Sequence, residues 1–189
     1  MIRKTFAAAL VVATLCSLIA SAALGYVLTT AASLPLPCVL LVDDDQDNPD
    51  VRTYYISALD ELGVTYDVWD VTTQSDPSAS DLSYKMVIWF TGYPRSDTFT
   101  SANEAAVATY LDAEGRFWLV SEDYLYDRGL TSFGQSRLRI GSYRSDVNRM
   151  DPVGNPDHPV GSGLGPYNLI PPHGWPGDLY TDDVNNGGG

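Results

Sequence analysis

Three polar clusters in this chain hold residue types that do chemistry, and each follows a short apolar run: Asp43-Asp44-Asp45, Thr91-Gly92-Tyr93 and Ser121-Glu122-Asp123. The first opens an acidic loop, Asp43-Asp44-Asp45-Gln46-Asp47-Asn48-Pro49-Asp50. Hard cations such as calcium take several carboxylate and carbonyl oxygens from a flexible loop. Asp43, Asp45 and Asp47 have the alternating spacing for that. The loop lacks the glycine and the distant glutamate of an EF-hand, so the competing expectation is a solvated loop whose acids cap the next helix and favour its dipole.

Ser121 stands at the end of an apolar run, where a nucleophile elbow would lie, but the G-x-S-x-G pattern is absent. A serine nucleophile also needs a base, and the chain has two histidines, His158 and His173. A Ser121–His158 pair oriented by Asp123 or Asp157 would make a hydrolase, with Glu122 beside it. The competing expectation is that Ser121, Glu122 and Asp123 are strand-end polar residues capping the next segment. His158 is then a loop imidazole held by a carboxylate. Trp89, Phe90, Phe117 and Trp118 fall in strands and are expected in the core. Tyr93, Tyr124, Tyr126 and Trp175 fall in loops, where they either pack locally or offer a platform for a sugar or a peptide.

The elements that must position these groups alternate. Residues 39–42 form a continuous apolar run, which reads as a strand buried on both faces of a parallel sheet. Asn48-Pro49 predicts a helix start, with Asn48 as N-cap and Pro49 at the first helical position, and Gly63 ends that helix. Residues 66–69 are the second strand, and 76–83 a turn-rich crossing. Residues 86–90 are the third strand. Ser101-x-x-Glu104 reads as a capping box opening a helix that stops at Gly115. Residues 117–120 are the fourth strand, and 138–143 offer another. The alternation predicts an α/β fold with a doubly wound, mostly parallel sheet, whose ligands bind outside the carboxyl ends of the strands. The three polar clusters are therefore expected on one shared face. Beyond residue 146 glycine and proline crowd the chain, and no closing strand is expected.

The bulk composition sets limits. With 189 residues, 44% of them hydrophobic, the chain can bury one core. A net charge of −13 repels phosphate backbones, so nucleic acid is not an expected partner. The N-terminus is basic at Arg3 and Lys4 and then almost continuously apolar over 6–28. That pattern reads as a secretory signal with small-residue cleavage sites after Ala22 or Ala32. An uncleaved membrane anchor is the alternative, since the run is long enough to span a bilayer. Leu15 before Cys16 does not suit a lipobox. The expected organisation is 1–32 signal peptide or anchor, 33–37 linker, 38–184 α/β domain and 185–189 disordered tail, with the chain a piece of something longer. Cleavage would leave Cys38 alone, without a disulfide framework or zinc cluster, as a buried inert thiol.

Two resemblances follow from these residues. Residues 39–45 look like the start of a response-regulator receiver domain. The third strand, however, ends in Phe90-Thr91-Gly92 without an aspartate, and no later strand ends in lysine. That resemblance is set aside. The set Val39-Leu40-Leu41-Val42-Asp43-Asp44-Asp45, Tyr66-Asp67-Val68-Trp69-Asp70, Val87-Ile88-Trp89-Phe90-Thr91-Gly92 and Ser121-x-Asp123-Tyr124-Leu125-Tyr126-Asp127 is more informative. It resembles a domain of secreted bacterial and archaeal proteins, often found beside extracellular peptidase or repeat modules. That domain is similar in fold to the class I glutamine amidotransferase-like superfamily. Asp157-His158-Pro159-Val160, with Gly161 and Gly163-Leu164, is similar to loops of that superfamily. The resemblance implies a flavodoxin-like three-layer sandwich. Amidotransferases carry a cysteine at the elbow, where this chain has Ser121-Glu122-Asp123, so glutaminase chemistry is not expected. The expectation is a non-catalytic extracytoplasmic accessory module. Its ligand face is Asp43–Asp45, Thr91, Gly92, Tyr93, Ser121, Glu122, Asp123 and Tyr124, and it takes a carbohydrate or peptide ligand. The alternatives are a secreted hydrolase using Ser121 and His158, and a domain stabilised by calcium.

Overall fold

The computed structural model of the chain describes residues 37–147, 151–157, 161–168 and 181–187. The apolar N-terminal run, His158, His173 and Trp175 lie outside the described residues. No helix among the described residues is long and apolar enough to cross a membrane.

Strand β1 (Val39–Asp43) is buried along its whole length. It is central because it pairs in parallel with both β2 (Tyr66–Asp70) and β3 (Met86–Phe90). Strand β4 (Arg116–Val120) extends the sheet from β3, giving the order β2-β1-β3-β4 with every pair parallel. The domain is therefore α/β. The side-chain period of two splits the core into halves. Val39, Leu41, Ile88 and Phe90 pack with Leu59 of helix α1 (Arg52–Glu61). Leu40, Val42, Val87 and Trp89 pack with Val107 and Tyr110 of helix α3 (Ser101–Asp112). Each fully buried aliphatic of β1 contributes about 1.5–3 kcal/mol relative to exposure, so this strand anchors the fold.

Several element boundaries differ from expectation, each for a local reason. Helix α1 does not begin at Asn48. Gln46 and Asp47 take left-handed conformations, the Asn48–Pro49 peptide is cis, and Val51 is the N-cap without a side-chain bond. Carboxylates from the preceding loop do the capping instead. Asp45 accepts the Val51 N–H and Asp50 accepts the Arg52 N–H. Gly63 takes the left-handed conformation just past the end of α1, as expected. A single helical turn, α2 (Val71–Gln74), precedes the turn-rich crossing at 76–83, and Asp70 caps it through the Thr73 N–H. The capping box of α3 is Thr100 with Asn103, one residue before the expected pair. Glu104 is used elsewhere, accepting from the hydroxyls of Tyr124 and Thr131.

Trp118 is not a core residue: it is 54% exposed. It pairs with Ile88 in register and so faces the α1 side, where Val120 packs against the cluster and Trp118 does not. Being on an edge strand, it has no neighbouring strand beyond it among the described residues. After β4 the chain forms two short helices, α4 (Tyr124–Arg128) and α5 (Ser132–Ser136). The expected further strand is β5 (Ile140–Arg144), but it stays out of the main sheet. It pairs antiparallel with β6 (Asp183–Asn186). A closing strand therefore exists, and Asn185 and Asn186 belong to it. No hydrophobic period announced it, since the paired segment Asp183-Val184-Asn185-Asn186 is mostly polar.

Candidate functional site

All four strands of the main sheet run in parallel and in register, with Asp43 level with Asp70 on one side and Phe90 on the other, and Phe90 level with Val120. The segments that follow β1, β3 and β4 therefore leave the sheet at the same edge. This brings together Asp43–Asp45, Thr91–Tyr93 and Ser121–Asp123, as the alternation predicts.

The three consecutive aspartates of β1 and its exit diverge because alternate side chains point to opposite faces. Asp44 faces the α3 side. It is buried, and it accepts the Trp89 indole N–H at 2.9 Å. Burial pushes its carboxyl up to about 7, while the Trp89 bond works in the opposite direction. Asp44 is thus built into the core.

Asp43 and Asp45 face the α1 side and the loop. Asp45 is the brace of that loop. One oxygen accepts the Asp47 N–H at 2.8 Å and the other accepts the Val51 N–H at 2.6 Å. Gly92, at φ +59°, packs directly on it: a Cβ there would lie 2.6 Å from the Asp45 Cβ. Asp43 is 3% exposed. Both of its oxygens are buried without a hydrogen-bond donor, and Oδ2 has an ion pair, 2.9 Å from Arg52 Nε. Burial pushes the Asp43 carboxyl up to about 7; Asp45 adds to that, and Arg52 opposes it.

Arg52 is the centre of this corner. Its guanidinium also meets Asp70 at 3.2 Å, Asp47 at 3.8 Å and Asp50 at 3.9 Å. Sequence reasoning passed over Arg52, Asp50 and Asp70. One signal was present: Arg52 is the one basic residue between Cys38 and Lys85, and it sits inside the most acidic stretch of the chain. Among the described residues, the group that can offer oxygens to one ion is Asp43, Asp45 and Asp50, with these atoms within 4.8 Å of one another. Asp50 takes the place expected for Asp47. Alternating spacing describes an extended chain, and the left-handed Gln46 and Asp47 turn this one.

At the other end of the edge, Thr91 donates its hydroxyl to Ser121 Oγ at 2.7 Å. Ser121 Oγ also accepts the Tyr124 N–H at 3.0 Å. Asp123 is buried, and burial raises its carboxyl above the ordinary range despite the opposing charge of Arg95. Tyr124 is buried too, with its hydroxyl bonded to Glu104 and set 3.0 Å from the Thr131 hydroxyl, so its phenol is held inside the domain. Tyr93 is half-buried, and burial, aided by the charge of Glu122, raises its phenol.

Two hollows meet at Tyr93, Ser121 and Glu122. One, of about 290 Å³, runs along the carboxyl edge and is walled by Val51, Tyr54, Tyr55 and Gly92. The other, of about 640 Å³, follows the outer side of β4 past Trp118 to Leu138 and Val184. A third hollow, of about 680 Å³, lies around Tyr84, Lys85, Tyr110 and Arg116 at the amino ends of β3 and β4, away from all three clusters. Cys38 precedes β1 at its amino end, the opposite end from Ser121. Comparison with family models, with curated proteins and with solved structures finds no match to this chain.

Proposed function

We propose that the domain is a non-catalytic extracytoplasmic binding module of a larger secreted or surface protein, beside peptidase or repeat modules. Its ligand, a carbohydrate or a peptide, lies in the hollow between α1 and Tyr93. The observation that carries this reading is the condition of Ser121. Nucleophilic attack spends a lone pair, and a hydroxyl oxygen has two. The Ser121 oxygen accepts from both the Thr91 hydroxyl and the Tyr124 N–H, so both are committed to the fold. Tyr54, Tyr55 and Tyr93 wall the hollow. Tyrosine supplies rigid contact area at low entropy cost, which suits recognition without chemistry.

The finer fold reading belongs to the same proposal. The order β2-β1-β3-β4 agrees with the first four places of the flavodoxin-like order. An amidotransferase-like module would place its nucleophile after β4, where this chain has Ser121 and no cysteine.

The test is a pair of measurements on the purified chain. Panels of ester, amide and glycan substrates are expected to show no turnover above buffer. Glycan and peptide arrays are expected to show binding that Tyr93→Ala weakens by roughly tenfold or more, the loss of one aromatic anchor. Turnover abolished by Ser121→Ala or by His158→Ala would establish the secreted hydrolase instead.

A further inference from the structure

We propose that Asp43, Asp45 and Asp50 bind one calcium ion at the carboxyl end of β1. The first argument is fit. The three carboxylates offer oxygens within 4.8 Å of one another. Calcium–oxygen bonds of 2.3–2.6 Å on opposite sides of an ion span roughly 4.6–5.2 Å, so one ion reaches all three. Magnesium, with bonds near 2.0–2.1 Å and a strict octahedron, suits a tighter and more regular cage.

The second argument is independent of spacing. Asp43 is 3% exposed, and neither of its oxygens receives a hydrogen bond, Oδ2 having only the ion pair to Arg52. A buried carboxylate oxygen without a donor is costly and rare in folded proteins. Arg52 does not relieve it. The guanidinium reaches Oδ2 through Nε and is turned toward Asp70, with Asp47 and Asp50 left at 3.8 and 3.9 Å. One guanidinium thus serves four carboxylates, Asp43, Asp47, Asp50 and Asp70. A divalent ion between Asp43, Asp45 and Asp50 supplies the missing partner.

The loop is built to accept it. Asp45 spends one lone pair of each oxygen on the Asp47 and Val51 N–H groups, which fixes the carboxylate and leaves its other lone pairs free. Asp50 is exposed on the loop surface, so the ion has a way in from solvent. Bound calcium ties the end of β1 to the start of α1, whose Val51, Tyr54 and Tyr55 wall the neighbouring hollow. This site stands on its own residues, and its failure would leave the binding-module reading untouched.

The test uses the full chain stripped with a chelator and titrated with calcium chloride or magnesium chloride, followed by calorimetry and thermal melting. One calcium site is expected. At a hundredfold excess over Kd, Tm should rise by roughly 5–10 °C. Asp50→Asn, on the surface and safe for folding, should weaken calcium binding about tenfold or more, as should Asp43→Asn. Glu61→Gln, at the far end of α1, should bind as the parent does. No heat and no Tm change, an undiminished response in Asp50→Asn, or a magnesium response equal to that of calcium would each overturn the proposal.

Discussion

The two ends of the carboxyl edge are made of similar polar residues and treat them in opposite ways. At the β1 end, the strand is central and buried on both faces, so its terminal acids leave the sheet into a covered corner. Asp43 and Asp45 are both buried there, yet neither oxygen of Asp43 has a hydrogen-bond donor. At the β4 end, the strand is an edge, and the polar groups after it are drawn into local bonds. Ser121 bridges Thr91 and the first turn of α4. A central strand thus concentrates unsatisfied charge, and an edge strand spends its polar groups on holding the following loop. Looking for chemistry at the serine, as the sequence invites, points to the satisfied end of the edge.

The contrast can be broken in three steps of decreasing effect. Asp45→Ala removes two short charge-assisted bonds at a buried position. It should destabilise the domain by roughly 3–6 kcal/mol in chemical denaturation, at about 1.5–3 kcal/mol per bond. A loss below about 1 kcal/mol would mean that the loop stands without its brace. Ser121→Ala removes the shared acceptor of Thr91 and Tyr124, at a half-buried site. The expected cost is about 1–2 kcal/mol.

The smallest effect is a pH dependence at Asp123. Burial raises its folded-state carboxyl above the unfolded value. The proton is therefore bound more tightly in the folded domain. Its stabilisation is complete below the unfolded value, near pH 4, and is lost as pH climbs through the folded value. Asp43 and Asp44 act in the same sense, so a difference between proteins is needed to isolate Asp123. Stability measured at pH 4.5 and pH 7.5 should fall less in Asp123→Asn than in the parent. Equal slopes would mean that Asp123 is solvated after all.

Much of the sheet was legible because its signals are local and redundant. The runs that lead to Asp43 and end at Phe90 are wholly apolar, as strands buried on both faces require. Gly63 was legible for the same reason, since a left-handed exit favours glycine. The cap of α3 was misplaced by one residue because Ser101-x-x-Glu104 fits the usual pattern, whereas the pair used, Thr100-x-x-Asn103, has an asparagine in place of Glu or Gln. Only the packing of α4 and α5 decides that Glu104 is needed by Tyr124 and Thr131. Trp118 was misread because an apolar strand residue does not reveal whether anything covers its face. The acidic corner was half legible. Asp43 and Asp45 follow from their strand, whereas Asp50 and Arg52 arrive through the left-handed turn at Gln46 and Asp47, which composition does not announce.

Tyr110 and Gly115 share one volume at the far end of the sheet. The phenol ring of Tyr110 lies where a side chain at 115 would begin, with ring atoms 2.3–2.5 Å from a Cβ built there. The hydroxyl accepts the Arg116 N–H and lies 3.0 Å from the carbonyls of Tyr84 and Arg116. The two positions are consequently one unit of inheritance: residue 115 can gain a side chain only if the ring at residue 110 moves away or is lost. Either way, the chain would also lose the clasp that holds the starts of β3 and β4 to the same helix.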